Sequence, residues 1–231
     1  MEAAEPIEHE GVKPQRMIVE IGPGERDRAL INRLFSDQGT LKYFGGDNKE
    51  ALFELQSGDM FVEVDLLPSQ SVDVFRHGDH KAMDYSHLPY LKKSFEARLP
   101  DGVQGELVHA DGTHLPFDRE AVDIIFIANV LSGHIKDDTQ TLEDGVIGFT
   151  ASEKEVQVEK QRLIAEIKRV LRPGGMFIVE EEFPPYRSGR AALNRALEEL
   201  QIDQDFEVET TDDGYRLILK LTKRNESSLS N

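Results

Sequence analysis

The stretch MIVEIGPGERDRALINRLF, residues 17–35, predicts a strand, a tight turn and a helix in succession. The apolar start of the strand is followed by Glu20, and the turn is formed by Gly22, Pro23 and Gly24. Apolar residues at helical spacing then predict a helix from Asp27 to Phe35. Because glycine lets a ligand approach the backbone N–H groups of such a turn, this order is typical of a nucleotide-binding loop.

Composition narrows the class of protein. The chain has 231 residues and 39% hydrophobic residues, which suits one globular domain. Lysine plus arginine number 27 against 44 aspartates plus glutamates, and the net charge of −17 disfavours nucleic acid and anionic membrane surfaces as partners. The absence of cysteine excludes disulfides, thiolate nucleophiles and cysteine-ligated metal. The acidic N-terminus lacks the features of a signal peptide, so we expect a cytoplasmic protein.

Strand-like and helix-like segments alternate along the chain. LKYFGGD, ending at Asp47, predicts a second strand, and KEALFEL directly after it predicts a helix. GELVHAD, ending at Asp111, predicts a third strand, and the most apolar run, residues 121–131, predicts a central strand buried on both faces.

The second half continues the alternation and ends differently. A helix is predicted from Val156 to Leu171, stopped by RPGG, then a strand MFIVEEE and a helix from Arg190 to Leu200. Residues 206–221 are two alternating runs joined through Asp212-Asp213-Gly214, which predicts a hairpin. We therefore expect an α/β fold: a Rossmann-like, mainly parallel seven-stranded sheet with helices on both faces and a C-terminal antiparallel hairpin.

The expected domain organisation is simple. Residues 1–15 form an acidic flexible tail, 16–222 a single domain, and 223–231 a polar tail. Residues 56–86 and 132–155 interrupt the alternation as insertions. Long links at strand ends often form lids or substrate walls, although a surface decoration is an open alternative for both.

The acidic residues around the predicted loop bear on the choice of nucleotide. A dinucleotide loop requires a third glycine near the pyrophosphate, and Asp27 stands there, which disfavours NAD and FAD. A nucleoside without phosphates is not disfavoured, and Glu20 can face a cationic group. Asp47 can accept hydrogen bonds from both ribose hydroxyls. Asp111 can accept one from an exocyclic amine, beside the backbone of Gly112 and Thr113.

Five motifs in this order resemble the class I S-adenosylmethionine-dependent methyltransferases, most closely their small-molecule, type 11-like branch. They are VEIGPG, YFGGDNKEALFEL, HADGTHLPF, VDIIFIANVL and IAEIKRVLRPGGMFIV, and they cover roughly residues 16–182. The resemblance implies S-adenosylmethionine as cofactor and methyl transfer to a small-molecule oxygen, nitrogen or carbon acceptor. It leaves the acceptor and the oligomeric state open.

The resemblance also implies a set of cofactor-binding residues. Asp47 would bind the ribose, and Asp65 in FVEVDLL is its rival for that role. Asp111 would contact the adenine, and the alternative role for this side chain is to form a turn. The full expected set is Glu20, Gly22, Pro23, Gly24, Asp47, Asn48, Asp111, Gly112 and Asn129.

Candidates for catalysis and metal binding are few. His134 follows the central strand and can take a proton from an acceptor, although a loop histidine without a chemical role is the alternative. The histidines and acids of RHGDHKAMDYSH, residues 76–87, match no ligand spacing, so no metal is expected. The run Glu180–Glu182 is typical of a solvated strand end, with a contact to a cationic substrate as the alternative.

One departure from the family pattern keeps a second function open. The family loop ends in a third glycine, and Arg26 holds that place here. A non-catalytic regulatory or scaffold protein with the same fold is therefore the alternative to an enzyme. The chain has no tryptophan and only 7% aromatic residues, so we expect no stacking platform for an exposed base and favour a small acceptor.

Overall fold

We describe the protein from a computed structural model, which defines residues 15–22, 30, 35–37, 40–44, 51–65, 95–128, 131, 153–182, 197–198, 200–212 and 216–225. In chain order the strands are β1 (Met17–Ile21), β2 (Phe35–Asp37), β3 (Thr40–Phe44), β4 (Ala51–Leu55), β5 (Met60–Asp65), β6 (Gln104–His109), β7 (Val122–Ala128), β8 (Leu171–Glu182), β9 (Phe206–Asp212) and β10 (Arg216–Lys223). Two helices have bounds within the described residues, α1 (Glu153–Val170), between β7 and β8, and α2 (Ile202–Asp205), before β9.

Seven of these strands form the central sheet, in the order β6-β5-β1-β7-β8-β10-β9. The pairs from β6 to β8 are all parallel. Strand β10 is antiparallel to both β8 and β9, which makes the last two strands a hairpin. The predicted mainly parallel seven-stranded sheet with a C-terminal antiparallel hairpin is confirmed.

The prediction for the second strand of this sheet is wrong. The parallel neighbour of β1 is β5, at residues 60–65, and not LKYFGGD. Most of LKYFGGD lies in β3, which belongs to a separate three-stranded antiparallel sheet in the order β2-β3-β4. KEALFEL contains β4 and not the start of a helix. A short apolar run does not distinguish strand from helix, and here Leu55 and Phe53 pair with Leu41 and Tyr43 of β3.

This correction changes which segment is inserted into the alternating order of strands and helices. The stretch 56–86 contains a strand of the central sheet, so it is not an insertion throughout. The added element is the small sheet within residues 35–55. Phe35, the expected end of the first helix, begins β2, whereas Leu30 is helical. At the other end of the chain, β10 continues through Lys223, the first residue of the expected polar tail.

One face of the central sheet is covered by α1. Its apolar residues recur every three or four positions and place Leu163, Ile167 and Val170 in a cluster with β1, β7 and β8. The buried face of β7 confirms the predicted central strand. Among the described residues, no helix has the length and apolar character needed to cross a membrane.

The small sheet covers the opposite face. Tyr43 of β3 packs edge-on against Phe126 of β7, with ring centroids 5.2 Å apart, and stacks on Phe53 of β4 at 5.6 Å. Its hydroxyl donates a hydrogen bond to Glu180 of β8. The helical residue Leu30 is buried in the same cluster. Aromatic packing and one buried polar contact thus hold the small sheet to the central one.

Buried charges organise the amino-terminal edge of the sheet. The Arg16 guanidinium donates to both carboxylate oxygens of the fully buried Asp59, at 3.0 and 2.5 Å, and to the carbonyl of Glu54. The hydrogen bond to Asp59 raises the pKa of Arg16 above its ordinary value. Nearby, Asp123 accepts from the Met17 N–H at 2.7 Å and pairs with Arg172. This edge is a structural network.

We predict that Asp59→Ala lowers the free energy of unfolding by about 3 kcal/mol or more, since it leaves a largely buried guanidinium without its carboxylate. Asp59 also accepts from the Gln56 N–H at 2.8 Å, so the turn between β4 and β5 loses a contact as well. Urea unfolding of the purified protein measures the effect.

Glu209→Ala is the matched control for this substitution. Glu209 pairs with Lys220 across β9 and β10, but its side chain is 67% exposed. An exposed pair contributes less than about 1 kcal/mol. Equal destabilisation by the two substitutions would contradict a special role for the buried pair.

Candidate functional site

Four parallel strands end at the same edge of the central sheet. The register pairs Ile21 with Val64 and with Ile127, so the ends of β1, β5 and β7 are level. Asp65 at the end of β5 pairs with His109 at the end of β6. Ligands of open α/β sheets bind at the carboxyl ends of the strands, which makes this edge the candidate site.

The glycine turn begins at this edge. Gly22 has φ 65°, in the left-handed region that side chains disfavour. Its N–H donates to the Val64 carbonyl at 2.9 Å, which ties the turn to the neighbouring strand. The backbone geometry therefore favours glycine at position 22, whatever binds there. Pro23 and Gly24 lie outside the described residues.

Glu20 spans the turn. Its side chain is 1% exposed, and its Oε1 accepts a hydrogen bond from the N–H of Leu30 at 2.6 Å. Since Leu30 is helical, this contact fixes the helix relative to the strand that precedes it. The sequence predicted an acid beside the loop but not this contact.

A second carboxylate lies beside Glu20 on the sheet. Glu63 of β5 is the register partner of Glu20, and it is half-buried. Register partners on adjacent strands share a face, and residues two positions earlier, Ile18 and Phe61, both lie in the cluster under the small sheet. The end of β1 therefore has two adjacent acids, one buried and one half-buried, on the face that the small sheet covers.

Asp111 follows β6 and forms a turn with its own side chain. Oδ1 accepts from the N–H and from the hydroxyl of Thr113, both at 2.8 Å. The His114 N–H donates to the Asp111 carbonyl at 2.8 Å. The side chain is 53% exposed, whereas Gly112 is buried. The turn-forming role weighed for Asp111 is present, and it leaves the carboxylate accessible at the edge.

The expected ribose acid needs a different reading. Asp47 and Asn48 lie outside the described residues, but one of the two reasons for choosing Asp47, a helix directly after it, does not hold, because KEALFEL contains β4. The strand next to β1 ends at Asp65, the rival candidate. Sequence reasoning preferred Asp47 because it assigned β4 to a helix and because the distance of Asp47 from the glycine turn is normal for the family.

The chain beyond β7 is anchored at Leu131. Asn129 and His134 lie outside the described residues, but Leu131 between them is buried. Its N–H donates to Oε1 of Glu181 at 2.7 Å, and its carbonyl accepts from Nζ of Lys160 at 2.6 Å. A strand and a helix thus hold both backbone groups of Leu131.

Two acids of the run at the end of β8, Glu180 and Glu181, are not solvated. Glu180 and Glu181 are both fully buried, on opposite faces of the sheet. Glu180 accepts from the Tyr43 hydroxyl and lies 3.7 Å from the guanidinium of Arg216. Glu181 holds Leu131. The prediction of solvation is wrong because an acidic run does not reveal which backbone groups will need an acceptor.

Sequence reasoning also missed Glu166 and Arg169. Both lie on α1 and make hydrogen bonds to the main chain of residues 115–117. Their signal in the sequence is an acid and a base three residues apart on a predicted helix. That signal is equally typical of an exposed pair, so it did not distinguish them.

One family model matches part of the chain. Residues 71–179 match the model of a family described as methyltransferase domain. The resemblance to type 11-like methyltransferases is confirmed, and the matched residues contain three of its five motifs, HADGTHLPF, VDIIFIANVL and IAEIKRVLRPGGMFIV. VEIGPG and YFGGDNKEALFEL lie outside the match, and the second of these contains strands of the small antiparallel sheet. No curated protein matches the chain.

Solved structures give distant likenesses. A methyltransferase from Aquifex aeolicus shares 12% identity at a TM-score of 0.47, covering 92% of this chain and 85% of that one. One from Methanosarcina mazei shares 13% at 0.46, covering 92% and 94%. A geranyl diphosphate C-methyltransferase from Streptomyces coelicolor shares 14% at 0.42, covering 94% and 72%. Likenesses at these scores carry no argument about activity.

We predict that Glu181→Leu increases hydrogen exchange at the Leu131 amide about tenfold or more, because a hydrogen bond to a charged acceptor is lost. Glu181→Gln keeps an acceptor oxygen and should retain most of the protection. Amide exchange followed by nuclear magnetic resonance measures both.

Lys160→Met is the control, because it removes the donor to the Leu131 carbonyl and leaves the amide contact in place. Unchanged exchange in folded Glu181→Leu would show that the anchor does not depend on Glu181.

Proposed function

From the premise that residues 71–179 carry a methyltransferase domain, we propose that the protein transfers a methyl group from S-adenosylmethionine to a small-molecule acceptor. The observation that supports this most is the combination of that match with a sheet in which β1, β5, β6 and β7 end at one edge. S-adenosylmethionine supplies a methyl group on a positively charged sulfur, ready for in-line displacement.

The chemistry of the described edge fits this cofactor. Gly22 adopts a left-handed conformation, and because glycine has no side chain, a ligand can approach the start of the turn closely. Glu20 and Glu63 place negative charge there, which suits the sulfonium and ammonium groups and opposes a pyrophosphate. The same argument disfavours an NAD-dependent oxidoreductase.

We assign the ribose contact to Asp65 in place of Asp47. Asp65 ends the strand next to β1, and a carboxylate there can accept hydrogen bonds from both ribose hydroxyls. Asp111, followed by the buried Gly112, is proposed for the adenine because its exposed carboxylate follows β6, the next strand along the edge. Gly22, Pro23 and Gly24 would line the methionine side, and Asn129 would follow β7 beside it.

The acceptor would be bound by the segment after β7. Methyl transfer to a bound acceptor mainly needs alignment and exclusion of water, so little further catalytic apparatus is required. His134 is proposed to take a proton from the acceptor where its reacting atom carries one. Leu131, held on both sides, would fix where the segment 132–155 begins. The net charge of −17 supports a small molecule over nucleic acid as acceptor.

We predict that the protein binds S-adenosylhomocysteine in the micromolar range and that Asp65→Ala weakens binding about 10- to 100-fold. Such a loss corresponds to roughly 1.5–3 kcal/mol for hydrogen bonds to a charged acceptor. Asp111→Ala should also weaken it. Asp47→Ala is the matched control and should leave affinity near that of the unsubstituted protein. Titration calorimetry on folded, cofactor-free protein measures all four.

The outcomes separate the competing assignments. A large loss with Asp47→Ala and none with Asp65→Ala would restore Asp47 as the ribose acid. No binding of either S-adenosylmethionine or S-adenosylhomocysteine to the unsubstituted protein would reject the enzyme. A non-catalytic scaffold with a loop closed by Arg26 would then be the better explanation.

A further inference from the structure

A pair of charged residues on α1 holds the segment that follows the Asp111 turn. Oε1 of Glu166 accepts from the N–H of Leu115 at 2.7 Å. Nη2 of Arg169 donates to the carbonyls of Leu115 and Phe117, at 3.0 and 2.9 Å. Two side chains from one helix therefore satisfy three main-chain groups of a loop about 50 residues earlier in the chain.

The two side chains also hold each other. Nε of Arg169 donates to Oε2 of Glu166 at 2.8 Å, and Nη2 donates to Oε1 at 2.7 Å. This two-point hydrogen bonding raises the pKa of Arg169 above its ordinary value. The Glu166 side chain is only 12% exposed and that of Arg169 is 38% exposed. The two side chains are thus already ordered for binding the loop, and they lose little conformational freedom when they do so.

A second acid–base pair on the same helix shows that a spacing of three residues does not by itself produce hydrogen bonds to the loop. Glu159 and Arg162 are also three residues apart and also hydrogen-bonded, at 2.7 Å. Their side chains are 56% and 60% exposed, and the two side chains contact each other. Glu166 and Arg169 differ because they face the loop between β6 and β7.

The held segment is continuous with the Asp111 turn. Leu115 comes directly after the residues that close the turn, and both of its backbone groups are engaged by α1. Leu115 and Phe117 are buried in the core cluster on the α1 side. The turn is therefore fixed at one end by the pairing of β6 with β5 and at the other by α1.

We propose that Glu166 and Arg169 are positioning residues for cofactor binding, acting by holding the turn that presents Asp111. This proposal rests on the proposed function, in which Asp111 meets the adenine. Neither side chain needs to touch the cofactor. A loop already held in its binding geometry has less freedom to lose when the ligand arrives, so affinity depends on the pair.

The test compares S-adenosylhomocysteine affinity, by calorimetry, across four single variants whose folding is checked by circular dichroism. Arg169→Ala and Glu166→Ala should each weaken binding about tenfold, because the turn is no longer pre-organised. Glu166→Gln keeps an acceptor for the Leu115 N–H and should recover part of the loss. Arg162→Ala, from the exposed pair, should bind like the unsubstituted protein.

A double-substitution cycle separates positioning from general destabilisation. If Arg169 acts through Asp111, the loss in Asp111→Ala/Arg169→Ala should be smaller than the product of the two single losses, since the contact to be positioned is already gone. Thermal unfolding of each variant, measured in parallel, shows whether lost affinity merely follows lost stability. Hydrogen exchange at the Leu115 amide should rise in Glu166→Ala, which reports the loosened segment directly.

Each outcome is decisive. Unchanged affinity in folded Arg169→Ala, or losses that multiply fully with Asp111→Ala, would overturn the positioning role while the proposed function stands. Absence of binding by the unsubstituted protein would overturn the proposed function, and the positioning role with it.

Discussion

The parallel pairing of β1 on both of its sides is the constraint on which the rest of the structure depends. Strand β1 lies between β5 and β7, and Ile18, Val19 and Ile21 are fully buried. With both backbone edges used and both faces covered, the strand leaves the sheet only through a tight turn. Gly22 makes that turn in a left-handed conformation, and this brings the loop to the edge where the neighbouring strands also end.

Buried charges then connect segments that are distant in the sequence. Burying a charge is costly unless it meets a partner, and each buried acid discussed above has one. At the amino-terminal edge, Asp59, directly before β5, binds Arg16, and this contact has a purely structural role. At the other edge, Glu181 holds Leu131 and Glu166 holds Leu115, so the acids fix the segments that begin the candidate site. The need of a buried acid for a partner thus stabilises the fold at one edge of the sheet and positions the segments of the candidate site at the other.

Aromatic packing and a hydrogen bond to a buried acid hold the added three-stranded sheet to the central one. Tyr43 supplies an aromatic ring against Phe126 and a hydroxyl for Glu180. This contact gives a buried acid of β8 a hydrogen-bond donor from an element about 137 residues away in the chain. The small sheet therefore covers the central sheet on the face opposite α1, and it completes the core around Phe53 and Ile178.

By itself, the sequence determined the elements whose evidence is local. The apolar run of β7, the spacing of apolar residues on α1 and the Asp-Gly turn of the hairpin each predicted the observed element. The motifs within residues 71–179 also predicted the family model that matches this segment. Only the tertiary structure decided that Ala51–Leu55 is a strand, that β5 lies beside β1, and that Glu166, Glu180 and Glu181 are buried. The reason is physical: strand partners and the destinations of charged side chains are chosen by contacts between residues far apart in the chain, and a local pattern does not contain them.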